Sequence, residues 1–350
     1  MKYGLELLQR KLNNFFLMAK ILFRVSGGKI PKKELGLGHV FRCINLANQL
    51  KSHEIHFLIE DYGSVKSLLS EYGFKKIFHL TPNLSESNDV KKTLEHISKN
   101  SIDLLIVDKY GLTNNFVKKM KKIVKTVVIS DLKNISYDAD LLVNGFIGFN
   151  NKIIFNKFKT KCLLGPKYQI LSNKYENKHK YQKKYDLLIT LGGVDANNLL
   201  TIILKKIIHC DIILKTKIIL GPATVKTSMI KKLSMKHNHF DLVQTTKNMK
   251  KDISSAKFGI CAGGLTTYEF AALNVPFGIV CQYKHQILTA KEWEKKKIAK
   301  NLGFIQINDK KLDTFLKHLI QDKIKNNSNK IIDGLGSKRI AQEILMLAKI

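Results

Sequence analysis

His39 is the side chain in this sequence that is best placed to move a proton. It follows Gly36, Leu37 and Gly38 in a loop between a predicted strand and a predicted helix. Glycines let the backbone approach a ligand closely, and the N-terminus of a helix favours an anion. The same positive end disfavours an imidazolium, so we expect a neutral ring that can accept a proton. A polar cap on the helix is the alternative use of a residue at this position.

A second glycine turn, in the last third of the chain, predicts a diphosphate site. Gly263 and Gly264 end a buried strand, and the hydroxyls of Thr266 and Thr267 follow where a helix begins. Backbone N–H groups and hydroxyls in such a turn can surround a diphosphate. Glu269 lies about one helical turn later, where a carboxylate can accept both ribose hydroxyls of a nucleotide. The alternative is a capping box of Thr266 with Glu269.

Weaker signals lie at the ends of other strands. Gly192 and Gly193 form a third strand-to-helix turn, and Asp195 follows them either as a ligand contact or as a helix cap, which is the commoner use. Asp108 and Asp131 end strands of the first half, where a solitary Asp is often a turn residue. Each of these carboxylates is weak evidence on its own.

Parallel strands must position these turns, and both halves of the sequence supply them. Short apolar runs alternate with helical patterns, which is typical of parallel α/β sheets. The predicted strands are 21–25, 55–59, 104–108, 126–131, 141–144, 186–191, 217–220, 258–262 and 277–280. The fold class that follows is α/β, with two doubly wound, Rossmann-like domains that face each other across a cleft.

The polar, lysine-rich stretch at 172–184 lacks apolar periodicity and is the predicted linker. It separates a first domain at 18–171 from a second domain at 185–335. A C-terminal helix is expected at 336–350, and residues 1–17 are expected to be an N-terminal extension rather than a membrane anchor.

Composition narrows the class of protein. The 350 residues carry 60 Lys and Arg against 28 Asp and Glu, a net charge of +32 that is spread along the whole chain. We therefore favour compositional drift over nucleic-acid binding, although the charge can help to attract an anionic nucleotide. The five cysteines include no CxxC pair, and no cluster has metal-ligand spacing. We expect a cytoplasmic monomer with no metal, no cofactor, no nucleic-acid partner and at most peripheral membrane contact.

Seven motifs occur in an order that resembles a known family. They are Phe23-Arg24, Gly36-Leu37-Gly38-His39, Arg42-Cys43, Asp108-Lys109-Tyr110-Gly111, Leu164-Gly165-Pro166-Lys167-Tyr168, Leu191-Gly192-Gly193-Val194-Asp195-Ala196-Asn197-Asn198 and Ala262-Gly263-Gly264. This order resembles the UDP-2,4-diacetamido-2,4,6-trideoxy-β-L-altropyranose hydrolases of pseudaminic acid biosynthesis, which have the GT-B fold. The first and last glycine motifs are shared more widely with GT-B transferases.

The resemblance implies roles for residues at matching positions. His39 would be the general base that activates water to attack C1 of a UDP-sugar with inversion, while UDP leaves. The implied UDP-binding residues are Gly263, Gly264, Leu265, Thr266, Thr267 and Glu269. The implied substrate-binding residues are Arg24, Gly38, Tyr110, Asp195, Asn198 and His285.

The sequence departs from the family around the sugar. Ser26, Lys109 and His285 stand where the family has Asp, His and Asn, and the loop before Gly36 is longer. Two alternatives therefore stay open beside the hydrolase: a GT-B glycosyltransferase that uses the same donor, and a non-catalytic protein that binds a nucleotide sugar.

Overall fold

In the computed structural model of the chain, the described residues are 18–28, 36–63, 65–176, 181–195, 197–209, 213–222, 224, 228–320 and 331–348. The predicted extension at 1–17, most of the long loop before Gly36 and residues 177–180 of the predicted linker lie outside them. No helix within these ranges is long and apolar enough to cross a bilayer.

Eight strands form the first sheet. They are β1 (Lys20–Gly28), β2 (Glu54–Tyr62), β3 (Lys76–Leu80), β4 (Leu104–Asp108), β5 (Lys125–Ile129), β6 (Leu141–Asn144), β7 (Lys152–Phe155) and β8 (Lys161–Leu164). The spatial order is β3-β2-β1-β4-β5-β6-β8-β7. Neighbouring strands are parallel except β7 and β8. The helices of this half are α1 (Gly38–Gln49), α2 (Val65–Glu71), α3 (Glu86–Asn100) and α4 (Asn114–Lys121).

Seven strands form the second sheet. They are β9 (Tyr185–Thr190), β10 (Thr216–Ile219), β11 (Phe240–Val243), β12 (Ala256–Cys261), β13 (Phe277–Cys281), β14 (Ala299–Phe304) and β15 (Gln306–Ile307). Their order is β11-β10-β9-β12-β13-β14-β15, and only the last pair is antiparallel. The helices are α5 (Leu199–His209), α6 (Ser228–Lys236), α7 (Met249–Ser254), α8 (Leu265–Ala272), α9 (Lys284–Lys295), α10 (Asp309–Ile320) and α11 (Gly336–Ala348). Two doubly wound parallel sheets confirm the predicted class.

The central strands are buried because helices cover both faces of each sheet. All five residues of β4 are buried, which explains its continuous apolar run before Asp108. Val25 of β1 pairs with Asp108, so the carboxyl ends of these two strands lie side by side. Parallel sheets bind ligands at this edge, where the strand-to-helix loops emerge.

The two halves share part of one core. Phe146 and Ile147, which follow β6 of the first sheet, belong to the same buried cluster as Phe270 and Trp293 of the second half. The backbone N–H of Ile147 also donates to the Tyr268 hydroxyl at 3.1 Å. The contact between the halves is therefore both apolar and hydrogen-bonded.

The predicted C-terminal helix forms as α11 and returns to the first half of the chain. Its Ile340 and Ile344 are buried in the first core, together with Cys43 and Ala47 of α1. Lys161 of β8 also donates to Glu343 at 2.6 Å. The last helix therefore completes the first domain rather than the second.

A candidate active site in the cleft between the two sheets

A cavity of about 480 Å³ lies between the two halves of the chain. Seven of the residues predicted for the site line it: Gly38, His39, Tyr110, Gly263, Gly264, Leu265 and His285. The first half supplies the first three and the second half supplies the others. The fold thus brings the two predicted glycine turns to opposite walls of one cavity.

His39 is the second residue of α1, and its ring is bound to a carboxylate. Nδ1 lies 2.5 Å from Oδ1 of Asp108, the last residue of β4. The helix cap is Leu37, which makes no side-chain capping bond, so His39 does not serve as the polar cap. With Nδ1 held by Asp108, the Nε2 edge of the ring is the one left for the cavity that His39 lines.

Asp108 changes the expected electrostatics of His39. Burial lowers the pKa of the imidazole, but the charge and hydrogen bond of Asp108 outweigh burial, so the net pKa is raised. The expectation that the helix end alone keeps the ring neutral is therefore corrected. A proton on Nδ1, bonded to Asp108, leaves the Nε2 lone pair free to act as a base.

Arg42 joins this pair from one turn further along α1. It donates from Nε to Oδ2 of Asp108 at 2.9 Å and from Nη2 to Oδ1 at 2.7 Å. It also pairs with Asp131, which follows β5, including a 3.0 Å bond from Nη2. Burial raises the pKa of Asp131, but the Arg42 guanidinium outweighs it and the pKa falls to about 2. One wall of the cavity therefore carries an ordered network of one histidine, one arginine and two carboxylates.

The glycine turn of the second half faces the same cavity. Gly264 is the N-cap of α8 and makes no side-chain capping bond, and a Cβ there would meet nothing within 4 Å. A Cβ on Gly263 would lie 2.8 Å from Cβ of Gln286, so this position has room only for glycine. The first turn of α8 can therefore present backbone N–H groups to an anion.

Thr267 departs from the expected ligand contact. It is fully buried, its hydroxyl donates to the Gly264 carbonyl at 2.8 Å, and it accepts from the Trp293 indole at 3.0 Å. The hydroxyl is thus used to fix the turn. Because the cap of α8 is Gly264, the alternative capping box of Thr266 with Glu269 does not form either.

Glu269 lies beyond the lining of the cavity and is held in place by other groups. The Tyr175 hydroxyl donates to its Oε1 at 2.9 Å, and Thr266 also bonds to its carboxylate. Burial is the dominant influence and raises the pKa of Glu269. The structure thus places Glu269 one turn below the glycines, as expected, with a partner that the sequence did not indicate.

Arg24 is not brought to the cavity. Its side chain is fully buried and forms a two-pronged pair with Asp89, with both distances 2.9 Å, and a further bond to Glu60 at 3.3 Å. With no exposed surface, the guanidinium cannot reach a ligand. The expected substrate contact is corrected to a buried ion pair between β1, β2 and α3.

Asp195 and Asn198 also lie outside the cavity lining. The Asp195 carboxylate accepts the backbone N–H groups of Leu199 at 2.8 Å and Leu200 at 3.0 Å, as a helix cap does. Asn198 is exposed and has a positive φ of 51°. The third glycine turn therefore contributes local structure rather than cavity-lining side chains.

Besides His39, the predicted aromatic side chains that reach the cavity are those of Tyr110 and His285. Tyr110 is 56% exposed. His285 stacks on Tyr283 with ring centroids 5.6 Å apart, and its charge helps to keep the pKa of Asp131 low. His285 of one wall therefore lies within electrostatic reach of Asp131 on the other.

Three relatives show the breadth of the sequence similarity. An uncharacterized protein of Methanocaldococcus jannaschii is 28% identical over 73% of this chain, which spans about half of that relative's length (54%). The spore coat polysaccharide biosynthesis protein SpsG of Bacillus subtilis is 27% identical over 77% of this chain and 80% of its own. The UDP-2,4-diacetamido-2,4,6-trideoxy-β-L-altropyranose hydrolase of Campylobacter jejuni is 26% identical over 79% of this chain and 97% of its own. The last confirms the resemblance inferred from the motifs.

Solved structures share the fold at low sequence identity. MurG of Acinetobacter baumannii superimposes with a TM-score of 0.67 at 14% identity, covering 94% of this chain and 99% of its own. A Staphylococcus aureus MnaA–UDP structure gives 0.64 at 14% identity, covering 95% and 97%. The fold is thus of the GT-B type, as the sequence resemblance implies.

A family model covers the second half of the chain and reaches into its last helix. The model of the glycosyltransferase family 28 C-terminal domain matches residues 170–344, which include the glycine turn of α8 and the strands around it. The chain therefore belongs to the glycosyltransferase family 28 C-terminal domain family.

Proposed function

We propose that this protein hydrolyses a UDP-linked diacetamido-trideoxyhexose to UDP and the free sugar, a step in the synthesis of sialic-acid-like sugars such as pseudaminic acid. The observation that carries the proposal is the His39–Asp108 pair on one wall of the cavity, opposite the N-terminus of α8 on the other. A base and an anion site on facing walls suit a reaction that attacks a sugar carbon and releases a phosphate.

The proposed reaction is a single displacement at C1. Nε2 of His39 takes a proton from water while the water oxygen forms a bond to C1. The bond between C1 and the β-phosphate oxygen breaks, and its electron pair leaves with UDP. Attack from the face opposite the leaving group inverts the anomeric centre. Asp108 stabilises the imidazolium that forms, because its carboxylate is bound to Nδ1.

UDP would lie against the second half of the chain. The backbone N–H groups at Gly264 and Leu265 would bind the diphosphate. The ribose hydroxyls would extend past the cavity lining to the partly exposed Glu269. The name of the Campylobacter jejuni relative supports this choice of substrate, and the Staphylococcus aureus MnaA structure with UDP supports UDP as a ligand of this fold. The cytoplasmic location and the monomeric state stay predictions.

UDP release from a UDP-diacetamido-hexose, with no acceptor added, tests the proposal. Replacing His39 with Ala should lower turnover by about 10²–10⁴-fold, because the positioned base is lost, while UDP affinity by calorimetry stays close to native. The matched control is His79→Ala, since the His79 side chain is 43% exposed on β3 and lies outside the cavity lining. Native turnover in His39→Ala would refute the role of the base.

A glycosyltransferase is the second candidate, favoured by the family 28 match and by the fold shared with MurG. Such an enzyme needs an acceptor, so it releases UDP slowly in water alone. Rapid UDP release without an acceptor, with solvent oxygen found at C1 by mass spectrometry, supports the hydrolase. UDP release that depends on an added acceptor supports the transferase.

A further inference from the structure

Gln169 places a side-chain amide on the wall of the cavity. It lines the cavity and is only 8% exposed. Its backbone N–H donates to the Pro166 carbonyl at 3.0 Å. Among the described residues, no hydrogen bond is made by its side-chain amide, which therefore has both a donor and an acceptor to offer.

Neighbouring glycines create the place that this side chain occupies. A Cβ on Gly145 would lie 2.4 Å from Oε1 of Gln169, so a larger residue there would displace the amide. A Cβ on Gly336, the first residue of α11, would lie 2.1 Å from the Gln169 carbonyl oxygen. The backbone and the side chain of Gln169 are thus both closely packed, and the amide cannot easily turn to another partner.

The amide keeps contact with the solvent of the cavity, because among the described residues the only fully buried side-chain atom without a partner is Nδ1 of His53. A polar group that leaves water without gaining a hydrogen bond costs free energy, and most buried polar groups in proteins are paired. A ligand that covers the amide must therefore pair with it or incur this cost. The position therefore has the character of a recognition site rather than of a structural one.

The surroundings of the amide connect it to the catalytic wall. Ser130 donates its backbone N–H to the Val143 carbonyl at 2.9 Å, so the ends of β5 and β6 lie side by side. Asp131 follows one of these strands and Gly145 follows the other. Since Asp131 is bound to Arg42 of the His39 network, the amide lies on the same side of the cavity as the base.

Apolar residues also line the cavity near Gln169 in the sequence and in the sheet. Ile170 follows Gln169 directly, and Val143 of β6 and Phe146 lie on either side of Asn144 and Gly145 in the chain. They give the first-domain wall apolar surface that a methyl group can contact. The local chemistry is thus one donor, one acceptor and an apolar surface.

We propose that Gln169 recognises one N-acetyl group of the sugar. Its carbonyl would accept the N–H of the acetamido group, its NH₂ would donate to the acetamido carbonyl, and Val143, Phe146 and Ile170 would contact the methyl group. This role rests on the proposed function and specifies which group of the substrate the first domain recognises.

Substrate discrimination tests this role. The donor with two acetamido groups is compared with the two analogues in which one or the other is replaced by hydroxyl. The native protein should prefer the full donor over one analogue by at least about 10-fold in kcat/KM, because a buried amide left unpaired penalises the poorer ligand. Gln169→Met and Gln169→Leu should reduce that preference to less than about 3-fold.

Two measurements distinguish a loss of recognition by Gln169 from misfolding of the variants and from failure of the proposed function. UDP affinity and the unfolding midpoint should stay close to native in both variants, and Gln306→Met, an exposed exchange of the same type on β15, serves as the control. If the native protein hydrolyses none of the donors, the preference is read from their dissociation constants, so the role of Gln169 is tested without turnover. An unchanged preference in both variants overturns the assignment of Gln169 alone.

Discussion

At the scale of single residues, the site depends on which groups bind each of the two carboxylate oxygens of Asp108. Oδ1 is bound by both His39 and Arg42, and Oδ2 is bound by Arg42. The carboxylate raises the pKa of His39, whereas burial and the nearby positive charge of Arg42 lower it. The strength of the base is therefore set by this three-residue contact rather than by the end of the helix alone.

Replacing Asp108 with Asn should weaken catalysis and move its pH dependence. The base works only when Nε2 is unprotonated, so native kcat/KM should fall as the pH drops through the raised pKa of His39. Without the carboxylate, burial and Arg42 lower that pKa, so the acidic limb should move to lower pH. The plateau should fall about 10²–10³-fold because the imidazolium loses its partner. The pH profile of kcat/KM measures both effects.

The control for this variant is Asp309→Asn in the second domain, where the carboxylate is 68% exposed and belongs to a surface ion pair. It should leave both the plateau of kcat/KM and the acidic limb of its pH profile unchanged. A lower plateau in Asp108→Asn with an acidic limb at its native position would contradict the role of Asp108 in setting the base strength.

Sequence reasoning found the parts of the site whose signals are local. His39 stands where a predicted helix begins and the turn at Gly263 follows a predicted strand, so the residue types alone indicated them. The pairing of His39 with Asp108 depends on β4 lying beside β1, which local patterns do not specify. The spacing of His39 and Arg42 at i and i+3 on a predicted helix was the available signal, because such residues share a face. Arg24 was assigned to the substrate for the same reason: its buried pairing with Asp89 depends on where α3 packs, which local patterns do not specify.

At the scale of elements, most of the predicted strands are central ones that helices bury, although β8, with three buried residues, was not predicted. β1, β4 and β9 gave apolar runs that could be recognised from the sequence. β3 and β7 were missed because they lie at the two ends of the sheet and keep several residues exposed. Their sequences therefore lack the continuous apolar pattern of a central strand.

Helix α3 packs on β2 and β3 through a buried histidine that should make the fold sensitive to acid. His96 contacts the His56 ring at 3.3 Å and stacks edge-on to Phe78. Burial, followed by the charge of His56, lowers the pKa of His96 from 6.5 to about 4. The unfolded chain therefore binds this proton first, so the contribution of His96 to stability should be lost as the pH falls from about 6.5 towards 4.

Urea unfolding of the native protein and of His96→Gln at several pH values isolates this contribution. On acidification, the native protein should lose more free energy of unfolding than His96→Gln does. The difference should be on the order of 2–3 kcal/mol. His237→Gln is the control, because this histidine lies in the second domain and away from β2. Equal acid sensitivity of the native protein and His96→Gln would refute the assignment.

At the scale of the whole molecule, the chain crosses between its two halves more than once. It enters the second half after Tyr175 and returns through α11, whose Ile344 is fully buried in the first core. Phe146 and Ile147 of the first half are meanwhile part of the cluster that contains Trp293. These shared contacts predict that the two halves unfold together, although each has its own sheet.

Ile344→Ala tests this coupling, because Trp293 is the single tryptophan and reports on the second half. Removing the buried side chain should cost about 2–4 kcal/mol. The midpoint by Trp293 fluorescence should shift with the midpoint by circular dichroism, since loss of the first core releases Phe146 and Ile147 from the shared cluster. Met346→Ala, on the same helix but 65% exposed, should change stability by less than about 0.5 kcal/mol. A fluorescence midpoint that stays native in Ile344→Ala would mean that the second half folds independently, and the cleft would then join two separately stable domains.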